Sequence, residues 1–140
     1  MYDKYNRKIN YLRVSVTDRC NLHCKYCMHE SNVKWLDHQD ILTYEEITHV
    51  VKTAVKLGIN KIRLAGGEPL IRKDILHLVS MLASIKGIED LAMTTDGVLL
   101  EQFAKPLAEA GLKRVNISLD TIDPEKYTEL TRGGEMNYEL

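Results

Sequence analysis

Cysteine is scarce in this 140-residue chain, and no cysteine lies outside residues 20–27. An excess of charge is also missing, because 19 basic and 20 acidic residues give a formal net charge of −1. A nearly neutral chain has no broad positive field to attract nucleic acid or an acidic membrane surface. We therefore expect no nucleic acid and no membrane among the partners.

Long apolar runs are lacking as well. No uninterrupted apolar stretch reaches the roughly 18 residues that a membrane-spanning helix needs. The first residues, MYDKYNRKINY, are polar and have no apolar core of the kind found in signal peptides. We accordingly expect a cytoplasmic protein. In that reducing compartment, clustered cysteines indicate metal or redox chemistry and not structural disulfides.

The apolar pattern of the chain alternates between strands and helices. It predicts strands at 11–17, 61–65, 91–95 and 114–120. Helices are predicted at 43–57, at 73–86, at 98–110 with a kink or restart at Pro106, and after Asp123. Thr43 with Glu46 forms a capping-box pattern, and Asp123 with Pro124 suits the start of the last helix. The apolar faces of the first two helices are expected to be Ile47, Val50, Val51, Ala54 and Val55, and Ile75, Leu78, Val79 and Leu82. Four strand–helix units in succession imply an α/β fold with parallel strands and helical crossovers. Four units make half of an eight-unit (β/α) barrel, or a small open sheet, and we expect a single domain that is part of a longer protein.

Polar or glycine residues follow every predicted strand. They lie at 17–20, 66–69, 94–97 and 118–120. Because the carboxyl ends of parallel strands meet at one edge of the sheet, these residues should lie close together. The sequence therefore predicts a functional site at that edge.

The three cysteines, in the stretch CNLHCKYC, allow three interpretations. A structural zinc site usually has four ligands, and His23 or His29 could supply the fourth. An iron–sulfur cube usually takes four cysteines, so three would leave one iron open to bind a small molecule. The thiols could also be incidental, although this spacing is typical of metal sites. We favour the open cluster over zinc.

Four motifs occur in order along the chain: CNLHCKYC, LAGGEPLIR, TTDG and RVNISLD. Together they resemble the radical S-adenosylmethionine (SAM) superfamily, whose fold is a (β/α) barrel. The flanking sequence, including ELTRGG near the end, is similar to the GTP 3′,8-cyclase family, which begins molybdenum cofactor biosynthesis. This resemblance implies that the chain is the N-terminal part of such a barrel, truncated after about four units. The cluster-binding loop would span about 18–42.

The resemblance implies three sets of site residues and no further catalytic residue. The ligands of a [4Fe–4S] cluster would be Cys20, Cys24 and Cys27. The SAM contacts would be Tyr26, Gly67 and Ser118. The GTP contacts would be Arg13, Arg63 and Thr94. Departures from the family pattern are Ala65, His29 and Asp96, although Asp96 still suits a turn. Glu68 of the GGEP motif is expected to orient the loop by hydrogen bonding.

The chemistry that the resemblance implies is reductive cleavage of SAM to a 5′-deoxyadenosyl radical, followed by conversion of GTP to (8S)-3′,8-cyclo-7,8-dihydroguanosine 5′-triphosphate. The implied partners are GTP, a low-potential electron donor and cyclic pyranopterin monophosphate synthase, which acts next. The family's second [4Fe–4S] cluster needs three more cysteines, expected in a C-terminal part. We therefore expect this chain alone to be inactive, and its exposed sheet edge to favour self-association, for example as a homodimer.

Two alternatives remain open at this point. Another radical SAM enzyme, either an activase or a peptide-modifying enzyme, would use the same half-barrel. A small zinc-binding module without catalysis would use the cysteines and a histidine.

Overall fold

The computed structural model of the chain describes residues 2–27 and 34–135. Four parallel strands form one sheet in sequence order, and an α-helix follows each strand along the chain. The strands are β1 (Tyr11–Ser15), β2 (Lys61–Ala65), β3 (Asp90–Thr95) and β4 (Arg114–Ile117). The helices are α1 (Tyr44–Lys56), α2 (Ile75–Ala83), α3 (Leu100–Glu109) and α4 (Pro124–Thr131). Short 3-10 helices lie at His38–Asp40 and Pro69–Ile71.

This arrangement confirms the predicted α/β fold with parallel βα units. The sequential strand order is that of part of a (β/α) barrel. The strands β1 and β4 are shorter than predicted. Beyond β4 the pairing continues for one bond, from the Ser118 N–H to the Thr95 carbonyl at 2.9 Å.

Side chains cap the N-terminal ends of α1 and α4, as the sequence predicts. Thr43 and Glu46 form the predicted capping box at the start of α1, where the Thr43 hydroxyl accepts from the Glu46 N–H at 3.2 Å. Asp123 caps α4 by accepting from the Lys126 N–H at 3.1 Å, with Pro124 in the first turn. Both predicted caps are therefore confirmed.

Two details of the helices differ from the prediction. Val50 was expected on the buried face of α1, but it is 50% exposed, because the stripe that packs inward passes through Ile47 and Val51. Pro106 lies inside α3, which continues to Glu109 without a restart. A single proline removes one hydrogen bond, and the burial of Leu107 helps to hold the helix together.

The hydrophobic core lies between helices α1–α3 and one face of the sheet, which we call the covered face. Alternate strand residues face this core, among them Ile62, Leu64, Leu91 and Met93, all at most 1% exposed. The remaining strand residues lie on the opposite side, which we call the open face. Its residues are Tyr11, Arg13, Ser15, Lys61, Arg63, Ala65, Asp90, Ala92, Thr94, Arg114 and Asn116.

Within residues 2–27 and 34–135, no helix is both long and apolar enough to cross a bilayer.

Candidate active site

The GGEP turn after β2 packs directly on the segment that leads into the cysteines. The Gly67 N–H donates to the Thr17 carbonyl and the Glu68 N–H to the Arg19 carbonyl, each at 2.8 Å. A Cβ atom added at Gly67 would lie 1.9 Å from the Arg19 carbonyl oxygen. Gly66 has a φ of +146°, and its added Cβ would meet the Thr17 oxygen at 2.4 Å. Only glycine allows this approach of two main chains.

Glu68 connects this turn to the end of β3. Its side chain is buried, and Oε1 accepts hydrogen bonds from the Leu70 N–H and the Thr95 hydroxyl, both at 2.9 Å. The second oxygen, Oε2, accepts from the Asp96 N–H at 2.7 Å. Burial raises the pKa of Glu68, while these bonds oppose the rise by stabilising the carboxylate. The sequence predicted that Glu68 orients the loop, and these bonds identify the groups that its carboxylate contacts.

The cysteines themselves lie on the adjoining loop as free thiols. The Cys27 N–H donates to the Cys24 carbonyl at 3.0 Å, which folds 24–27 into a turn. Burial raises the pKa of Cys20 and of Cys27, and the nearby Cys24 sulfur raises both further. Cys24 is therefore within electrostatic reach of the other two thiols.

Helix α4 anchors the cysteine loop from the other side. The N–H groups of His23 and Lys25 donate to the carbonyls of Thr131 and Leu130, at 3.2 and 2.9 Å. The Lys25 ammonium also pairs with Glu129 at 2.8 Å. The last carbonyls of a helix have no partner within the helix, so this loop supplies donors for two of them. Sequence reasoning missed this anchor, since α4 is about a hundred residues further along the chain.

Tyr26, an expected SAM contact, is exposed, and its hydroxyl donates to the Asp120 carboxylate. This hydrogen bond raises the pKa of the Tyr26 phenol, because it favours the protonated form. Ser118, another expected SAM contact, is exposed just after β4. Tyr26 and Ser118 thus lie at the same edge of the sheet as the GGEP turn.

The three expected GTP contacts share the open face. Arg13 and Arg63 are direct partners in the register of β1 and β2, and Thr94 lies on β3. The Arg63 guanidinium lies over the Tyr11 ring, 5.6 Å from its centre. The Arg63 Nε is buried, and among the described residues it has no hydrogen-bond partner.

Asp96, one of the departures from the family pattern, lies in the turn after β3. Its Oδ1 accepts from the Val98 N–H at 3.0 Å, which confirms the predicted turn role. Burial raises the pKa of this carboxyl.

Comparisons with known proteins show which family the chain belongs to. Residues 14–139 match the family model described as the Radical SAM superfamily. The chain belongs to the radical SAM superfamily. Among curated proteins, it is 53% identical over 137 residues to GTP 3′,8-cyclase of Alkaliphilus oremlandii. It is 57% identical over 136 residues to GTP 3′,8-cyclase of Pelotomaculum thermopropionicum.

These two relatives are longer than the chain. The alignments cover 98% and 97% of the chain, but 43% and 42% of the relatives. Among solved structures, the chain is similar to Streptococcus suis SuiB bound to S-adenosylmethionine, with a TM-score of 0.66 and 22% identity. That match covers 86% of the chain and 27% of SuiB. At this identity the likeness supports the radical SAM fold alone.

The donor set of the loop fits the cluster that the radical SAM family implies. No three His, Cys, Asp or Glu side chains converge on one metal position within the described ranges. Three free thiols on one loop are the donor type that an iron–sulfur cube takes, with each cysteine bound to a separate iron. His23, one candidate fourth ligand for zinc, is exposed, and the other, His29, lies outside the described residues.

Arg72 also positions the radical SAM loop, and sequence reasoning missed it. Its guanidinium donates to the Val16 carbonyl at the end of β1 and to the Leu42 carbonyl before α1. It also stacks on the Tyr44 ring, 4.4 Å from the centre. Arg72 therefore holds the two ends of the long loop together. Its place in the LIR sequence after GGEP was the available signal.

Proposed function

We propose that the chain is the SAM-binding part of a GTP 3′,8-cyclase. The observation that carries this proposal is the in-register pair Arg13 and Arg63 on the open face, beside the edge that bears the three thiols. Two guanidinium groups side by side suit phosphate oxygens. Relatives of 53% and 57% identity are named GTP 3′,8-cyclase, which supports the same substrate.

Like charges on adjacent strands normally destabilise a sheet. The arginine pair is therefore better explained by binding of an anion than by stability of the sheet. Both side chains lie about two residues before the strand ends, or roughly 7 Å from the edge at the usual rise of a strand. A nucleotide bound with its phosphates on the two arginines would reach that edge with its sugar. The proposed third contact, Thr94, lies on the same face and offers a hydroxyl.

At the edge, Cys20, Cys24 and Cys27 would hold the [4Fe–4S] cluster, which when bound supplies the electron that splits SAM into methionine and a 5′-deoxyadenosyl radical. Gly67 of the GGEP turn, which is half-buried, would orient SAM together with Tyr26 and Ser118. The chain's own contribution is to fix the two molecules close together, which removes much of the entropic barrier.

The test uses the full-length enzyme, reconstituted with iron and sulfide without air. We expect about four irons bound through these three cysteines, SAM cleavage on addition of a reductant, and a cyclised nucleotide when GTP is present. Cys24→Ser should lose the four irons of this cluster, the cleavage and the product together, while the irons of the second cluster expected in the C-terminal part remain bound. One tightly bound zinc and no SAM cleavage would overturn the proposal.

A second arm separates nucleotide binding from SAM chemistry. Arg13→Ala should keep the iron content and the reductive cleavage of SAM, but should lose conversion of GTP. If SAM cleavage proceeds while GTP is never converted by the unmodified enzyme, another radical SAM activity, on a peptide or protein, is the better assignment. If Arg13→Ala loses the iron, Arg13 supports the fold and does not contact the nucleotide.

A further inference from the structure

Arg114 is the feature of the open face that the proposed function does not use. In the register of the sheet, Arg13 pairs with Arg63, Arg63 with Ala92, and Ala92 with Arg114. Three arginines therefore lie in one row across the four strands, with a methyl side chain in the third place. Neighbouring strands are about 4.8 Å apart, so Arg63 and Arg114 start about 10 Å from each other, on either side of Ala92.

The balance of charge on this face is strongly positive. The described strands contribute four cationic side chains to the open face, at Arg13, Lys61, Arg63 and Arg114, and a single carboxylate at Asp90. Asp90 is shared among these cations: Arg114 lowers its pKa most strongly, and Lys61 and Arg63 lower it further. One carboxylate cannot neutralise such a row.

The contact between Asp90 and Arg114 is close but accessible. The Arg114 Nη2 lies 2.6 Å from Oδ2, and Nε lies 3.1 and 3.2 Å from the two oxygens. The Arg114 side chain is 49% exposed. An ion pair open to water adds little stability, so another anion can compete for the guanidinium. Ala92 adds only a methyl group between Arg63 and Arg114, and at 1% exposure it is covered by its neighbours.

We propose that Arg114 is a third anion-binding arginine, which completes with Arg13 and Arg63 a row that recognises the polyphosphate chain of the nucleotide, and that Asp90 competes with that anion for Arg114. The inference rests on the proposed function for the identity of the nucleotide. The inference goes beyond the proposed function because it assigns to Arg114 the discrimination between nucleotides with different numbers of phosphates. A nucleoside triphosphate presents enough oxygens to engage three guanidinium groups, whereas a monophosphate does not.

Two substitutions each break the ion pair between Asp90 and Arg114, but only one of them removes the proposed anion-binding group. Comparing them therefore separates the effect of losing the ion pair from the effect of losing the guanidinium. Arg114→Ala removes the guanidinium, whereas Asp90→Asn removes the competing carboxylate and leaves the guanidinium in place. Arg114→Ala should weaken GTP binding by about ten- to a hundredfold, as expected for lost charge-assisted hydrogen bonds. It should weaken GMP binding little. Asp90→Asn should bind GTP at least as tightly as the unmodified protein does.

The measurement is calorimetric titration of the full-length enzyme with GTP, GMP and inorganic triphosphate. Arg114→Lys should lose part of the affinity, because an ammonium keeps the charge without the planar fork. Lys105→Ala serves as control, since it breaks an exposed ion pair on α3 and should change nothing. Circular dichroism verifies that each variant is folded.

The outcomes distinguish this inference from the proposed function. Unchanged GTP affinity in Arg114→Ala, or an equal loss in Asp90→Asn, overturns the role of Arg114 while the cyclase proposal stands. Binding of inorganic triphosphate that depends on Arg114, without binding of GTP, supports the row and overturns the cyclase proposal. Binding of neither ligand by the unmodified protein overturns both.

Discussion

The covered and open faces of the sheet are built from alternate residues of the same strands, yet they differ in nearly every property. The covered face presents Ile62, Leu64, Leu91 and Met93 to the core, all almost fully buried. The open face presents arginines, a lysine, a threonine and an asparagine. We infer that the covered face carries the stability of the fold and the open face carries its binding chemistry. Four predictions test that division.

The largest expected effect is on the covered side. Leu78 of α2 is fully buried in the core against the sheet. Leu78→Ala should lower the free energy of unfolding by about 2–5 kcal/mol, because the transfer energy of the removed atoms is lost and a cavity remains. Urea unfolding followed by circular dichroism measures the change. A cost below about 1 kcal/mol would mean that the core relaxes around the site, and the covered face would then not be the main source of stability.

The next effect concerns the edge where the two faces meet. Gly67→Ala places a methyl group 1.9 Å from the Arg19 carbonyl oxygen, so the GGEP turn and the cysteine segment must move apart. We expect a loss of about 1–3 kcal/mol, typical of overpacking, and a lower yield of reconstituted iron.

Gly133→Ala is the matched control for this substitution. Its added methyl group meets no atom within 4 Å, although its φ of +107° is strained for alanine. The control should therefore cost about 1 kcal/mol or less and leave the iron content unchanged. Equal iron loss in both variants would show that the contact at Gly67 is not what matters.

The third prediction is a pH dependence at the same edge. Burial raises the pKa of Glu68 above the ordinary carboxyl value, so the folded state holds the proton more tightly than the unfolded state. Stability should therefore fall as the pH rises from the ordinary carboxyl pKa through the raised one. Glu68→Gln should remove that fall. It should also cost about 1 kcal/mol at neutral pH, because its amide group cannot accept from both neighbouring N–H groups.

Glu129→Gln is the control for the sign of this effect. Its pairing with Lys25 lowers the pKa of Glu129, so this carboxylate contributes stability that is lost as the pH falls. Unfolding should be measured from about pH 2 to 8, because the Glu129 contribution is lost below the ordinary carboxyl pKa and the Glu68 contribution above it; the two variants should show opposite changes of slope. The same change in both would mean that the burial of Glu68 does not control its protonation.

The sequence predicted the covered face better than the edge, for a physical reason. Strand and helix periods reveal which residues face a core, and the predicted inward residues Leu78, Val79 and Leu82 of α2 are all buried. The assignment of Val50 to the buried face of α1 was wrong, because the periodicity of apolar residues does not show how much of the helix surface the neighbouring elements cover. Periodicity therefore predicts the fold class and most of the core.

The site contains contacts between residues far apart in sequence, and no local pattern reveals them. The hydrogen bonds that Glu68 accepts from Thr95 and Asp96 cross from one strand end to the next. The anchor of Lys25 on α4 joins residues about a hundred positions apart. The site residues inferred from the motifs stay predictions, whereas the register of the strands was needed to place Arg13, Arg63 and Arg114 in one row.

The smallest expected effect is on the open face, and it is the sharpest test of the division between the faces. Arg13 lies beside Arg63 in register, and like charges on adjacent strands repel. Arg13→Ala should therefore change the free energy of unfolding by no more than about 0.5 kcal/mol, with a small gain as the expected sign. High salt should reduce that gain, since it screens the repulsion in the unmodified protein. A loss comparable to that of Leu78→Ala would mean that the arginine row supports the fold. A neutral result or a small gain would mean that Arg13 does not stabilise the fold.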